Sequence, residues 1–246
     1  MASEISPSVR SNNHIILHRI LSRSSHKNSL VMSIAEQVGL AIIDGHLVPG
    51  DDLNSVDLSN QFNTSRTPVR EALLLLEKEG LVEIPPRRRP RVSRLNIKEV
   101  RDIYQVRATL YGLVAELIVT SASDTEIRSL QDYLEPMNTA MLANNLDEYF
   151  WLNVDFQDRE TAICGNTHVQ RILESLMLRM LQLRYLSLSL PGRIQQSLSD
   201  HQGLYRAYKE RNVSLAVALK RGIVLRGLAT IEKAGWTELS TTNNQE

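Results

Sequence analysis

A mainly α chain carrying one β-hairpin is what this sequence predicts, on three observations. Apolar residues recur at three- and four-residue intervals along most of its 246 residues. Strand signals gather in one place only, between Gly80 and Arg94. Gly, Pro and Asn punctuate the helical stretches with short breaks, the pattern of a bundle. Together they give an N-terminal winged helix-turn-helix (three helices and a β-hairpin) followed by an all-α antiparallel six-helix bundle.

The first helix runs from Ser29 to Asp44, with Leu30, Ile34, Val38 and Ile42 on one face and Gly45 closing it. Pro49-Gly50 makes a turn. Val56 to Phe62 is a short amphipathic helix, and Asn63-Thr64 a turn. The next helix starts at Ser65-Arg66-Thr67-Pro68, where Ser65 or Thr67 can cap and Pro68 sits in the first turn, where a missing N–H costs nothing. Ala72, Leu73, Leu74, Leu75 and Leu76 give it a buried side, and Gly80 is a natural residue to end it. A short strand to Ile84 and the returning Arg87-Arg88-Arg89-Pro90-Arg91-Val92 form the hairpin, whose return carries five arginines to Arg94 and no acid.

Beyond Leu95-Asn96, with Asn96 as N-cap, six helices are expected: Ile97–Thr120, Ser123–Asn144, Leu146–Cys164, Thr167–Leu188, Arg193–Glu210 and Val213–Gly235. Pro136 is placed to kink the second. The domains expected are a flexible extension 1–29, a winged helix-turn-helix 30–95, an all-helical effector and dimerisation domain 96–236, and a flexible tail 237–246.

A short helix, a tight turn and a second helix with a polar start make a helix-turn-helix, whose second helix enters the DNA major groove by its N-terminal residues. Arg66 and Arg70 are four apart and share a face. They are the expected base or phosphate contacts, with Ser65 and Thr67 positioning them. The hairpin arginines Arg87, Arg88, Arg89 and Arg91 would track phosphates or enter the minor groove.

Residues 30–95 resemble the winged helix-turn-helix of the GntR family of bacterial transcription regulators. The resemblance rests on Ile43-x-Gly45-x-Leu47-x-Pro49-Gly50-x-x-Leu53, on Leu58, and on Ser65-Arg66-Thr67-Pro68-Val69-Arg70-Glu71-Ala72-Leu73-x-x-Leu76-x-x-Glu79-Gly80-Leu81-Val82. The rest is similar to the all-helical effector domain of the FadR subfamily, called FCD. This implies a ligand-responsive repressor of a catabolic operon, released by a small carboxylic effector. It also implies a homodimer on a pseudo-palindromic operator, in the cytoplasm and without enzymatic activity. The family often has Gly where Arg89 stands, so this wing tip is expected to be less tight and more electrostatic.

Bulk properties fit. Lys+Arg and Asp+Glu both number 28, so the whole molecule is no general polyanion binder and its basic surface is local. The one cysteine, Cys164, cannot make an internal disulfide and reads as a buried structural thiol. No run of eighteen apolar residues suggests a membrane span, and Met1–Ser29 lacks the plan of a signal peptide. No G-x-G-x-x-G, P-loop or nucleophile elbow occurs, and the Glu-x-x-His pairs of a di-iron bundle enzyme are absent.

The resemblance also implies a site in the bundle. FCD domains commonly hold a divalent metal on Asp-x-x-x-His and two further histidines. Here those positions fall on Asn153, Gln157, His201 and Ile223. Two amides, one imidazole and an alkyl chain do not make a metal site. No metal or other cofactor is therefore expected, and Asn153, Gln157 and His201 become candidate contacts to an organic effector. A metal-dependent regulator is the alternative. His201 reads equally as a satisfied core histidine. Arg107 lies in an otherwise apolar helix, where the family commonly has a pocket-facing Arg. A buried guanidinium needs a partner, either an effector carboxylate or an internal Asp or Glu. Tyr104 and Tyr111, with Trp151 and Tyr185, could line the pocket or be plain core.

Overall fold

The computed structural model describes residues 17–18, 21–22 and 29–234. The chain divides into two units. Among the described residues, one holds those up to Leu95 together with Met177–Tyr185; the other holds Asn96–Leu176 and residues 186–234. The expected extension 1–29 and tail 237–246 lie outside the described residues, except for Ser29, which starts the helix Ser29–Ile43, and four helical residues further upstream, of which Leu17 and Leu21 are buried.

In the first unit α1 (Ser29–Ile43) packs on α3 (Arg66–Lys78), and the short α2 (Ser55–Gln61) leans on α3 as well. Ile34, Val38 and Ile42 of α1 are buried as their spacing predicts, while Leu30 is 41% exposed at the helix start. From α3 come Val69, Ala72, Leu73, Leu75 and Leu76, all buried. Each large side chain so buried contributes on the order of 2 kcal/mol, which holds α3 by one face and leaves its first turn free.

The C-terminus of α3 is fixed by Gly80 at φ +77, a left-handed conformation that disfavours any side chain. Gly80 N–H donates to the Glu77 carbonyl at 2.9 Å and Leu81 N–H to the Leu76 carbonyl at 2.9 Å, the paired closure of a Schellman motif. This turns the chain into β1 (Val82–Glu83), which pairs antiparallel with β2 (Arg91–Val92) in the register Val82↔Val92 and Glu83↔Arg91. Within the same unit Gln182 Nε2 donates to the Leu47 carbonyl at 3.1 Å.

The second unit is helical: α4 (Ile97–Ser121), α5 (Asp124–Arg128), α6 (Gln131–Leu142), α7 (Leu146–Ile163), the two ends of α8 (Thr167–Ser189), whose middle stretch Met177–Tyr185 belongs to the first unit, α9 (Arg193–Lys209) and α10 (Val213–Lys233). Side chains of Asn96, Ser123, Asn145, Asn166 and Asn212 accept from first-turn N–H groups and start five of these helices. The stretch expected as one helix from Ser123 to Asn144 is two. It breaks at Ser129–Leu130, and Ser129 Oγ donates back to the Glu126 carbonyl at 2.7 Å and receives Arg159 Nε at 3.0 Å. Pro136 lies downstream of that break, inside α6.

α4 and α10 run antiparallel along most of their lengths. Arg101 pairs with Glu232 at 2.6 Å, Tyr104 covers Gly227, and the Arg221 side chain crosses Gly112. α7 packs on α6 and α4, and α9 on α6 and α10. The aromatic core between them is Tyr104, Tyr149, Phe150, Trp151, Phe156 and Tyr208.

Candidate nucleic-acid interface and effector site

Asn54 opens α2 by accepting the Val56 N–H at 3.0 Å. Asn63, at φ +48, then reverses the chain, and Thr64 N–H closes the turn on the Ser59 carbonyl at 2.9 Å. Ser65 holds the N-cap position of α3 but makes no side-chain cap bond, and Thr67 lies within the helix. The first-turn N–H groups are therefore left to outside acceptors, and Pro68 has none to offer. Ser65, Arg66, Thr67 and Arg70 are all exposed together on this end of α3. Arg66 reaches Ser55 Oγ only at 3.5 Å.

Around the hairpin turn Arg87, at φ +60, and Arg88 and Arg89 are exposed. Arg89 comes within 4.0 Å of the exposed Asp52 carboxylate, a weak contact. Arg91 is placed differently. Its Nε and Nη2 both donate to Glu83 Oε2, at 3.0 and 2.8 Å. The hydrogen bond from Arg91 holds the Glu83 carboxyl below its usual value. This half of the arginine cluster braces the hairpin, and Glu83 on β1 is the acid that the returning strand lacks.

In the second unit Asn153, Gln157 and His201 come together, all buried, across α7 and α9. His201 Nδ1 lies 2.7 Å from the Ser197 carbonyl, which only accepts, so this nitrogen carries the proton. Nε2 is left to accept from Asn153 Nδ2 at 3.4 Å. Gln157 Nε2 donates to Asn153 Oδ1 at 3.4 Å, and the Phe156 and His201 rings meet edge to face with their centroids 4.9 Å apart. Gln157 Oε1 is buried with no hydrogen-bond partner. The donor set does not fit a metal. Amides take the place of one Asp and one His, the imidazole lone pair is engaged, and among the described residues no three His, Cys, Asp or Glu side chains gather to hold an ion.

Arg107 lies on α4 and is 3% exposed. Its guanidinium carbon stands 5.5 Å from the Tyr104 ring centroid and 5.6 Å from that of Tyr111, so both rings lie within cation–π range of it. Nη1 has no hydrogen-bond partner, and no carboxylate of the described residues pairs with it.

A third group was not legible in the sequence. Lys220 of α10 and Glu160 of α7 are fully buried, and the ammonium donates to Glu160 Oε2. Tyr208 donates to Glu160 Oε1 at 2.7 Å. Burial, reinforced by the Glu160 charge, holds the Tyr208 hydroxyl far above its ordinary value, so it stays a donor. The Lys220 ammonium stands 4.6 Å from the Tyr111 centroid, on the same ring that faces Arg107. The Lys220 and Glu160 charges cancel; the Arg107 charge does not. The signal was present in outline: Lys220 lies four residues from Ala216 and four from Val224, both buried, so it occupies a core stripe.

A winged helix-turn-helix followed by a helical domain with a buried polar centre defines a two-domain transcription regulator. Comparison with known proteins agrees. Residues 30–92 match the family model for bacterial regulatory proteins of the gntR family, and residues 102–224 match the FCD domain. The chain is 30% identical over 181 residues to the HTH-type transcriptional regulator YdhC of Bacillus subtilis, covering 73% of this chain and 81% of that one. It is 25% identical over 198 residues to the gluconate operon transcriptional repressor of Bacillus subtilis, covering 78% and 80%. The solved structure of E. coli McbR/YncC superposes with a TM-score of 0.71 at 21% identity, over 85% of this chain and 99% of that one. The chain belongs to the GntR family of transcription regulators and carries an FCD domain. Its relatives are regulators, not enzymes. No helix among the described residues is long and apolar enough to cross a membrane.

Proposed function

We propose that this regulator is a homodimeric repressor of a catabolic operon in the cytoplasm, binding a pseudo-palindromic operator and released by a small organic carboxylate. The observation that carries the effector class is Arg107, a buried guanidinium with a bare Nη1 and no acid beside it. A buried cation without a counter-charge is costly, and a carboxylate accepts the guanidinium fork in a bidentate pair. Gln157 Oε1, a buried acceptor without a donor, adds a place for an effector hydroxyl or amine. Tyr104, Tyr111, Asn153 and His201 complete the effector contacts. The name of one relative, a gluconate operon repressor, fits a regulator tied to a small organic acid.

On DNA, the free first turn of α3 brings Arg66 and Arg70 to base edges or phosphates, positioned by Ser65 and Thr67. Arg87, Arg88 and Arg89 of the wing follow the backbone, and Arg91 acts there mainly by holding Glu83. A thermal-shift screen of small carboxylic acids and divalent metals, joined to an operator shift assay, tests the reading. At least one carboxylate stabilises the protein and weakens its operator complex, and Arg66→Ala with Arg70→Ala abolishes that complex. Stabilisation by metals alone refutes the effector class, and undiminished binding by the double variant refutes the recognition helix.

A further inference from the structure

Two rows of polar side chains meet in the second unit. On α7, Tyr149, Asn153 and Gln157 stand four residues apart, and on α9 Arg193, Ser197 and His201 do the same, so each row lies along one side of its helix. Asn153 joins the rows by donating to Ser197 Oγ at 3.4 Å. One turn before that contact stand Tyr149 and Arg193. The Tyr149 hydroxyl is buried without a hydrogen-bond partner. Burial pushes it far above its ordinary value, against smaller pulls from the nearby Ser197 hydroxyl and the Arg193 charge, so it keeps its proton. Arg193 is half-buried at the start of α9, its Nε is buried without a hydrogen-bond partner, and no ion pair holds it among the described residues. Burial pulls this guanidinium below its ordinary value, and the Asp200 charge opposes that without reaching ion-pair distance. Asp200 is already taken, by Arg226 Nε and Nη2 at 2.8 and 2.9 Å. Tyr104 links this group to Arg107. Its ring centroid lies 5.5 Å from the Arg107 guanidinium carbon, and its hydroxyl is within the field of Arg193.

We propose that Arg193 and Tyr149 form a second anion site beside the Arg107 contact, and that the effector is a small dicarboxylate, with one carboxylate on Arg107 and the other on Arg193 and Tyr149. The proposal rests on the reading of Arg107 as an effector contact and adds the far end of the ligand. Charge decides the number of acids. Glu160 cancels Lys220 and Asp200 cancels Arg226, whereas Arg107 and Arg193 have no acid of their own. A monocarboxylate neutralises one of these two cations and leaves the other, half-buried or fully buried, without a counter-charge. Chemistry decides the kind of group. Arg107 Nη1, Arg193 Nε and the Tyr149 hydroxyl are buried donors with no acceptor on the described chain, and an ionised carboxylate only accepts.

Isothermal titration of the full chain with matched probes tests this, setting succinate, glutarate and adipate against butyrate, pentanoate and hexanoate. The wild type binds at least one dicarboxylate roughly tenfold or more tightly than the monocarboxylate of equal length. In Arg193→Gln that ratio falls to about one, while Arg193→Lys, which keeps the charge, retains part of it. Tyr149→Phe, which removes one oxygen from a buried ring, lowers it several-fold. Far-UV circular dichroism checks that each variant keeps its helices. Arg107→Met weakens both members of the pair. Equal binding of the pair by the wild type, or a preference untouched by Arg193→Gln, overturns the second site alone. If no probe binds, or if both members bind Arg107→Met as they bind the wild type, the second site and the reading of Arg107 fall together.

Discussion

Replacing Lys220 by Met isolates the buried ion pair. Both partners are fully buried, so solvent screens nothing. Glu160 Oε1 keeps the hydrogen bond from Tyr208, but Oε2 loses its donor and the carboxylate its counter-charge. Stranding one member of a buried pair costs about 3–5 kcal/mol, out of a total stability on the order of 5–15 kcal/mol. Denaturant unfolding followed by far-UV circular dichroism reads this, and a scan shows a midpoint lowered by roughly 10 °C. Removing the whole group, with Lys220→Met, Glu160→Leu and Tyr208→Phe together, takes away the stranded charge as well. The triple variant is expected within about 2 kcal/mol of the wild type, because replacing a buried pair by packed apolar groups is often neutral or favourable. If Lys220→Met alone costs under about 1 kcal/mol, the pair behaves as a surface contact and the reasoning fails. If the triple variant is worse than the single one, packing rather than stranded charge controls the site.

Two further outcomes concern the first unit. Arg87→Ala and Arg88→Ala should each reduce the slope of log K against log salt for operator binding by about 0.9 if each contacts a phosphate. Arg91→Ala should act mainly by loosening the hairpin. Because Arg91 depresses the Glu83 carboxyl in the folded state, its contribution is present above the unfolded value and fades as pH falls through the lowered folded one. Hydrogen exchange of the wing across that acid range should converge for wild type and Arg91→Ala; a constant difference contradicts the assignment. Gly80→Ala should lower stability by about 1–2 kcal/mol in denaturant unfolding, since a Cβ at φ +77 is strained and would lie 2.2 Å from the Arg179 side chain; an unchanged midpoint contradicts it.

What the sequence made legible was local. Gly80 ends α3 because glycine accepts a left-handed residue at low cost, and this can be read from one position. The polar first turn with Arg66 and Arg70 needed only helical spacing. Arg107 stood out because a guanidinium inside an apolar helix demands an explanation, though its two possible partners could not be told apart until no acid was found beside it. The rest depended on distant residues. Glu160 and Lys220 are sixty positions apart and meet only once α7 and α10 are packed. Arg91 looks like its neighbours until strand register sets it opposite Glu83. Ser65 makes no bond to its helix although its type and position offer one, and the break at Ser129–Leu130 coincides with a bond to that serine from the distant Arg159.

The most direct test of the account asks whether Arg107 receives the effector. Arg107→Met keeps an unbranched apolar stem, shorter than arginine, and removes a buried charge that lacks an acid. The ligand-free variant should therefore be as stable as the wild type or more so, and should bind operator with unchanged affinity. A carboxylate that stabilises the wild type and dissociates its operator complex should do neither for the variant, measured by fluorescence anisotropy of labelled operator. A variant that is destabilised without ligand, yet still released by the same carboxylate, would show that Arg107 is a structural residue and that the effector is held elsewhere.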